Sequence, residues 1–191
     1  YHALGQIVCN WSYFAQDDKL VAECYKMIEL VLDEIGSAKL VIFANYKMTN
    51  AQIVRRFGCP GVWGDISARE KDKAVDKFIT DDTCRLITMN PRAGGVGIDG
   101  LQHVCTDVLY VEPPIAVMHW TQSLSRIHRE GQTRPVTVRM LVAMGTIQEH
   151  LVSALTEKED LVNPLQGSKA MLREAVFGSI KRSQKRAECA M

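Results

Sequence analysis

Three polar side chains recur at helical spacing in the second half of the chain: Gln122, Arg126 and Arg129. Offsets of four and three residues place side chains on one face of an α-helix. Two guanidinium groups held side by side present planar sets of N–H donors, which match the geometry of phosphate oxygens. The spacing therefore favours a helix face that binds a phosphate group, although arginines on a solvated face have the same pattern.

A glycine-rich turn lies upstream of this face. Gly94, Gly95 and Gly97 remove side chains where a backbone approaches a ligand or adopts positive φ, and Asp99 follows as a candidate acceptor for a hydroxyl group. A glycine cluster alone is a weak signal, because an ordinary loop contains the same residues. An apolar strand joins this turn to the arginine face, and the combination favours one ligand site.

The arginine face needs a helix to carry it. Pro113 and Pro114 suit a first helical turn, where the missing N–H removes no helical hydrogen bond, and Gly131 suits the left-handed residue after the last turn. The opposite face is apolar and is expected to meet the core: Trp120, Leu124 and Ile127. The pattern predicts a single helix between the prolines and the glycine.

Apolar runs of strand length alternate with amphipathic helices along the rest of the chain. The predicted strands are 39–44, 62–63, a run beginning at Cys84, and 135–142; the predicted helices are 17–35, 50–57, one opened by a capping box at Ser67 and Glu70, and one opened by Thr146 and Glu149. This alternation predicts an α/β fold, a three-layer sandwich with a mostly parallel sheet. Ligands in such sheets bind beyond the carboxyl ends of strands, where the glycine turn lies.

Composition limits the classes of function. A length of 191 residues suits one domain with extensions, and a net charge of +1 gives no global excess for nucleic acid, so a DNA-binding surface would be a local patch. The six cysteines show no C-x-x-C spacing, which predicts reduced thiols and no metal site. We find no signal peptide and no apolar run of membrane length, so no membrane partner is expected.

Two segments resemble a known family. AGGVGI and the string Q-x-x-x-R-x-H-R-x-G-Q resemble motifs V and VI of superfamily 2 helicases, in the SWI/SNF-like branch of DNA translocases, and KLVIFANY resembles motif IV. The resemblance implies the C-terminal, RecA-like (P-loop NTPase-like) lobe of such a protein. It also implies that Arg129 is an arginine finger and that Arg126 is a second contact to the γ-phosphate of ATP.

The resemblance extends to the binding residues. It implies that ATP, with its Mg²⁺, is held mainly by the first lobe and that this lobe adds four contacts: Gln122, Gly95, Gly97 and Asp99. It implies a nucleic-acid surface at Tyr46, Asn90, Arg92 and Gly94. Here Asn90, Pro91 and Arg92 replace the family's usual Ser/Thr-Lys pair, and Gly100 replaces a leucine. These departures predict a divergent bacterial or phage-type member, working in the cytoplasm of a bacterium or an infected host.

A complete helicase-type ATPase needs a phosphate loop and an acidic pair after an apolar strand. We find neither, since Asp33–Glu34 ends an amphipathic helix. The chain is therefore predicted to be half of an active site and inactive alone. Its expected partners are double-stranded DNA and the N-terminal helicase lobe of the same protein, and the fragment is expected to be a monomer.

The predicted division of the chain has three parts: a linker and leading helix at 1–36, the helicase domain at 37–160, and a helical extension with a basic tail at 161–191. Two alternatives stay open, an RNA helicase lobe of the same superfamily and a nucleic-acid or protein docking module without ATP chemistry. A dinucleotide-binding domain is rejected, because Gly95 and Gly97 match G-x-G-x-x-G only in part.

Overall fold

One parallel sheet forms the centre of the protein. The computed structural model describes residues 4, 6, 7, 9, 10, 23–92 and 98–162, with side chains as far as residue 156. The strands are β1 (Leu40–Phe43), β2 (Gly61–Val62), β3 (Leu86–Met89), β4 (Asp107–Tyr110) and β5 (Thr137–Met140). They lie in the order β2-β3-β1-β4-β5, and every neighbouring pair is parallel.

Helices follow the strands along the chain. They are α1 (Glu23–Glu34), α2 (Lys47–Phe57), α3 (Ala68–Thr80), α4 (Leu101–Val104), α5 (Val117–Leu124) and α6 (Ile147–Val162). The described residues between 4 and 10 are also helical. None of the described helices combines the length and the apolar character needed to cross a membrane.

Strand β1 shows why the fold has three layers. Leu40 and Ile42 belong to a core cluster shared with α1 and α2, whereas Val41 and Phe43 belong to a cluster shared with α3, α5 and α6. All four side chains are buried, as expected for a parallel strand covered on both faces. The predicted α/β sandwich with a parallel sheet is confirmed.

Local signals set several helix ends. The hydroxyl of Ser67 accepts from the backbone N–H of Glu70, and the Glu70 carboxylate accepts from the N–H of Ser67, so the predicted capping box begins α3. Helix α2 ends at Gly58, whose φ of 63° lies in the left-handed region. The predicted capping box and the predicted end of this helix at residue 57 are confirmed.

The predicted helix between the prolines and Gly131 is wrong at both ends. Pro113 and Pro114 are buried and lie outside any helix, and α5 begins only at Val117. The carbonyl of Pro113 accepts from the side-chain amide of Asn45, and a residue that precedes proline disfavours helical backbone. This anchored segment remains at the edge of the sheet.

Serines explain the early end of α5 at Leu124. The hydroxyl of Ser123 lies 2.6 Å from the carbonyl oxygen of His119 and 3.0 Å from that of Trp120, and the hydroxyl of Ser125 donates to the carbonyl of Gln122. Side chains that bond to helical carbonyls compete with the backbone ladder. A looser turn follows, in which the N–H of His128 still donates to the carbonyl of Leu124 at 2.8 Å.

Other predicted bounds shift by a few residues. Helix α2 begins at Lys47 rather than at Asn50, because Asn50 is a buried core residue whose amide donates to the carbonyl of Ala44 and accepts from Thr88. Residues 17–22 of the first predicted helix lie outside the described residues, and so do Gly94, Gly95, Gly97 and residues 163–191. The division into three parts stays a prediction.

Candidate functional site

The carboxyl ends of the parallel strands meet at one edge of the sheet. Phe43 of β1 pairs with Met89 of β3 on one side and with Tyr110 of β4 on the other, so the segments that follow these three strands begin side by side. Ligands of parallel α/β sheets bind at this edge. The predicted site residues follow β1 and β3 or lie on α5 and the turn after it.

The three polar side chains recognised by spacing line one cleft. Gln122, Arg126 and Arg129 surround an open space of about 390 Å³ together with Ile98 and Ser125. The backbone turn after α5 keeps the path of the helix for one more turn, so the arginines still project towards this side. The structure therefore brings the amide and both guanidinium groups together, even though the regular helix ends before the first arginine.

Asp99 holds the second arginine. Its Oδ1 atom accepts from Nη1 of Arg129 at 3.1 Å, and it also accepts from the N–H of Gly100 and from Nε2 of Gln102, both at 2.9 Å. The hydrogen bond from Gln102, then that from Gly100, then the charge of Arg129 lower the pKa of Asp99. This carboxylate stays ionised and pairs with an arginine that lines the cleft.

Arg126 differs from its neighbour in having an unsatisfied donor. Its Nε atom is buried and has no hydrogen-bond partner among the residues that the structure describes. Burial, and secondarily the charge of Arg129, lowers the pKa of Arg126. Two like charges in a partly dry cleft favour an anion between them, so the side chains fit a phosphate group.

The turn after the arginines is fixed by two contacts. Gly131 has φ of 91°, and a Cβ atom at this position would lie 3.0 Å from Cε1 of His103. Nε2 of Gln132 donates to the carbonyl of Cys105 at 3.0 Å. The G-Q pair of the motif thus packs the end of the turn against α4 and the residue after it, which sets the direction of the chain carrying Arg129.

Residues beneath α5 fix the helix on the sheet. The hydroxyls of Tyr110 and Ser123 lie 2.6 Å apart, and the rings of Tyr110 and Trp120 pack with centroids 4.8 Å apart. Trp120, Leu124 and Ile127 are all buried, as their spacing predicted. The apolar face of α5 is therefore packed onto the sheet, and Gln122 on its polar face lines the cleft.

The predicted nucleic-acid residues have different surroundings. Asn90 is partly buried and Arg92 is exposed, and the N–H of Arg92 donates to Oδ1 of Asn90 at 2.8 Å. Arg92 lies close enough to His119 to reinforce the effect of burial in lowering the pKa of that histidine. Tyr46 is buried at the start of α2, and Gly94 lies outside the described residues.

Sequence reasoning missed Glu112. This carboxyl group is 2% exposed and accepts from the N–H groups of Asn45 and Tyr46 and from the hydroxyl of Thr49. Burial raises the pKa of Glu112 to about 7, against these hydrogen bonds. The available signal was an acidic residue inside the apolar run VLYVEPP, directly after a strand.

Comparisons with known proteins identify relatives by sequence. The chain is 30% identical over 132 residues to a DNA repair and recombination protein RAD54-like of Drosophila ananassae, a match that covers 66% of this chain and 16% of the relative. It is 25% identical over 177 residues to the chromatin-remodeling ATPase INO80 of Mycosarcoma maydis, which covers 88% of this chain and 9% of the relative. No protein-family model matches the sequence.

The chain therefore spans less than a fifth of the length of these two relatives. Both come from organisms other than bacteria or phages, so the expected bacterial or phage origin stays a prediction.

Several solved structures share the fold of this chain. The SWI2/SNF2 ATPase core domain of Sulfolobus solfataricus matches with a TM-score of 0.67 and 24% identity over 95% of this chain and 38% of that one. The same core in complex with dsDNA matches with a TM-score of 0.63 and 22% identity, and the match covers 91% of this chain and 40% of that one. The C-terminal part of the Fun30 ATPase domain matches with a TM-score of 0.62 and 18% identity, and the match covers 95% of this chain and 63% of that one. The five-stranded parallel sheet of this chain has the RecA-like fold of these cores, and the chain is similar in sequence and fold to SWI/SNF-like superfamily 2 helicases.

Proposed function

We propose that this chain is the second motor lobe of an ATP-dependent translocase on double-stranded DNA. Arg129 acts as the arginine finger, Arg126 is a second contact to the γ-phosphate, and Gln122 helps to set the site. The observation that carries the proposal is the cleft lined by these three side chains beside Asp99. A docking surface has no need of this trio of phosphate-binding groups.

The site acts when a first lobe closes onto it. ATP, with Mg²⁺, supplies the phosphoanhydride bond whose hydrolysis drives the cycle. Arg126 and Arg129 neutralise negative charge that develops on the γ-phosphate oxygens, an effect that is large where water is excluded. The side chain of Gln122 lies on the same face and helps to set the site. Asp99 accepts a hydrogen bond from a ribose hydroxyl.

Arg129 exchanges partners during closure. In the present structure it pairs with Asp99, and the two side chains are 44% and 70% exposed. Exposed ion pairs contribute about 0–1 kcal/mol, so a phosphate displaces the aspartate readily. The pair keeps the finger beside the cleft while the lobes are apart.

We place the DNA contact at the residues that follow β3. Arg92 supplies an exposed charge and Asn90 fixes its backbone, and both follow β3 at the carboxyl edge of the sheet. A structure of a similar core in complex with dsDNA and the DNA repair relatives support duplex DNA as the track. Contacts to phosphates position a protein without reading sequence, so we propose little base specificity.

The assignment to the second lobe rests on the motifs. Motifs IV, V and VI are recognisable, whereas a phosphate loop and a DE motif are not found in these 191 residues. Similarity to the C-terminal part of the Fun30 ATPase domain agrees with this placement. The chain alone is accordingly proposed to hydrolyse no ATP at a useful rate.

The decisive experiment replaces the finger in a protein that carries both lobes. We expect Arg129→Ala to lower DNA-stimulated ATP turnover by roughly three to five orders of magnitude while ATP binding persists. Arg134→Ala is the matched control, since Arg134 is an exposed arginine outside the cleft whose Nη2 atom donates to the carbonyl of His103. It should leave turnover near the wild-type value.

Near-normal turnover in Arg129→Ala would contradict the finger assignment. The track is tested separately by comparing stimulation by duplex DNA with stimulation by RNA. Stronger stimulation by RNA would favour the RNA helicase alternative, and nucleic-acid binding without any ATP turnover would favour the docking module.

A further inference from the structure

Glu112 is the only charged side chain that is fully buried in the described part of the chain. A buried carboxyl group is costly unless hydrogen bonds satisfy its oxygens. Its Oε2 atom accepts from the N–H of Asn45 at 2.6 Å and from the N–H of Tyr46 at 3.3 Å, and its Oε1 atom accepts from the hydroxyl of Thr49. Glu112 thus fixes the backbone where the chain leaves β1.

The same backbone holds the residue that follows β3. The carbonyl of Asn45 accepts from Nδ2 of Asn90 at 2.6 Å, and Oδ1 of Asn90 accepts from the N–H of Arg92 at 2.8 Å. The N–H of Asn90 donates to the carbonyl of Val62, which completes its anchoring. A continuous series of hydrogen bonds therefore runs from Glu112 through Asn45 and Asn90 to the backbone of Arg92.

The register of the sheet makes this series direct. Phe43 pairs with both Met89 and Tyr110, so Asn45 and Glu112 each lie two residues beyond that row and Asn90 lies one residue beyond it. The three residues follow three adjacent strands, with the middle one between its partners. The side chains of Glu112 and Asn90 therefore reach Asn45 from the two adjacent strands without crossing another strand.

We propose that Glu112 is a positioning residue for the DNA-contacting turn, which acts through Asn45 and Asn90 to fix Arg92. The proposal rests on the proposed function, in which Arg92 contacts a DNA phosphate. Glu112 itself is buried and touches no DNA. Fixing the backbone beneath Arg92 lowers the conformational freedom that its side chain loses on binding a phosphate.

A second arm of the network leads away from the DNA side and supplies a control. The hydroxyl of Thr49 accepts from Nδ2 of Asn10 at 2.8 Å, and Oδ1 of Asn10 accepts from the hydroxyl of Tyr25 at 3.3 Å. Thr49→Val keeps the shape of the side chain but breaks this arm, together with the hydrogen bond from the Thr49 hydroxyl to Oε1 of Glu112. It leaves the contacts between Glu112, Asn45 and Asn90 in place.

The first measurement needs no DNA. We expect Glu112→Ala to speed amide hydrogen exchange at Arg92 by at least about tenfold, because the acceptor that orders its N–H is no longer fixed. Thr49→Val should leave exchange at Arg92 unchanged. Glu112→Gln keeps the shape of the site and takes the place of the alanine variant if that variant fails to fold. Its single carbonyl oxygen serves only one set of donors, so exchange at Arg92 should be intermediate.

The second measurement is a double-mutant cycle on affinity for a fluorescent duplex, titrated with salt. We expect Arg92→Ala to weaken binding and to lower the slope of log affinity against log salt by about 0.9, the value for one phosphate contact. Glu112→Ala should weaken binding by a similar factor. The double variant should be no weaker than Arg92→Ala alone, since both changes act on one contact.

The outcomes separate the two proposals. If Arg92→Ala binds duplex DNA as the wild type does, the proposed DNA contact is wrong, while exchange at Arg92 still tests the hydrogen-bond series. If Arg92→Ala weakens binding but both Glu112 variants match the wild type in affinity and exchange, the positioning role is wrong. Equal losses in Thr49→Val and Glu112→Ala would show a general loss of stability and would also overturn it.

Discussion

Nη1 of Arg129 lies 3.1 Å from Oδ1 of Asp99, so the proposed arginine finger is already paired with the carboxylate that follows the glycine-rich segment in the sequence. The carboxylate is itself oriented by Gly100 and Gln102. The pairing holds a long side chain beside the cleft without burying it. Arg129 is thereby available to a phosphate group that arrives on another lobe.

Replacing this carboxylate tests whether the pair holds or directs the finger. Asp99→Asn keeps an acceptor for Gly100 and Gln102 but removes the charge that pairs with Arg129. Because an exposed pair contributes little, we expect kcat for ATP in the two-lobe protein to change by less than about fivefold. Steady-state kinetics would measure it, with Asp99→Ala alongside to report the ribose contact through KM. A loss of kcat as large as that of Arg129→Ala would instead show that Asp99 orients the finger.

Arg126 should show a conflict between stability and activity. Arg126→Gln removes a charge that burial and Arg129 disfavour, so we expect Tm to stay the same or rise while ATP turnover falls by about a hundredfold. Arg139→Gln is the opposite control, because Arg139 pairs with Asp107 and Glu34 outside the cleft. It should lower Tm and spare turnover. Thermal melts and ATPase assays on both variants decide; a lower Tm in Arg126→Gln would contradict the expectation that this charge is unfavourable in the folded protein.

Gly131 combines positive φ with a close neighbour. We expect Gly131→Ala to lower the free energy of unfolding by about 2 kcal/mol, from left-handed backbone strain and from contact with His103. Gly145 has φ of 70°, and a Cβ atom added there would meet nothing within 4 Å, so Gly145→Ala should cost only the strain, about 1 kcal/mol. Urea denaturation of the two variants isolates the contact, and equal losses would show that His103 moves aside.

Glu112 should make stability depend on pH in an unusual direction for a carboxyl group. Burial raises its pKa from 4.5 to about 7, so the folded protein binds a proton more tightly than the unfolded chain does. Its contribution is fully present below pH 4.5 and is lost as pH rises through 7, by on the order of 3 kcal/mol. Urea denaturation across this range should show the free energy of unfolding of the wild type falling relative to that of Glu112→Gln as pH rises. A difference independent of pH would contradict the raised pKa.

Spacing alone was enough for the parts of the site that depend on local geometry. Offsets of three and four residues determine which side chains share a helical side, so Gln122, Arg126 and Arg129 line one cleft although the regular helix ends at Leu124. The end of the helix was mispredicted because the hydroxyls of Ser123 and Ser125 compete for its carbonyls. The spacing of apolar residues contains no information about these hydrogen bonds. The prolines were misplaced because Pro113 is tied to Asn45, a residue far away in sequence.

The local sequence, then, determined the order of strands and helices, the capping box at Ser67, the left-handed glycines and the residues of the arginine face, because propensity, periodicity and backbone sterics act over a few residues. Only the tertiary structure decided the partners of those residues. The pairing of Arg129 with Asp99, and the series from Glu112 to Arg92, depend on which strands lie side by side. That order is set by packing and burial across the whole sheet, between residues too far apart in the chain for any local pattern to connect them.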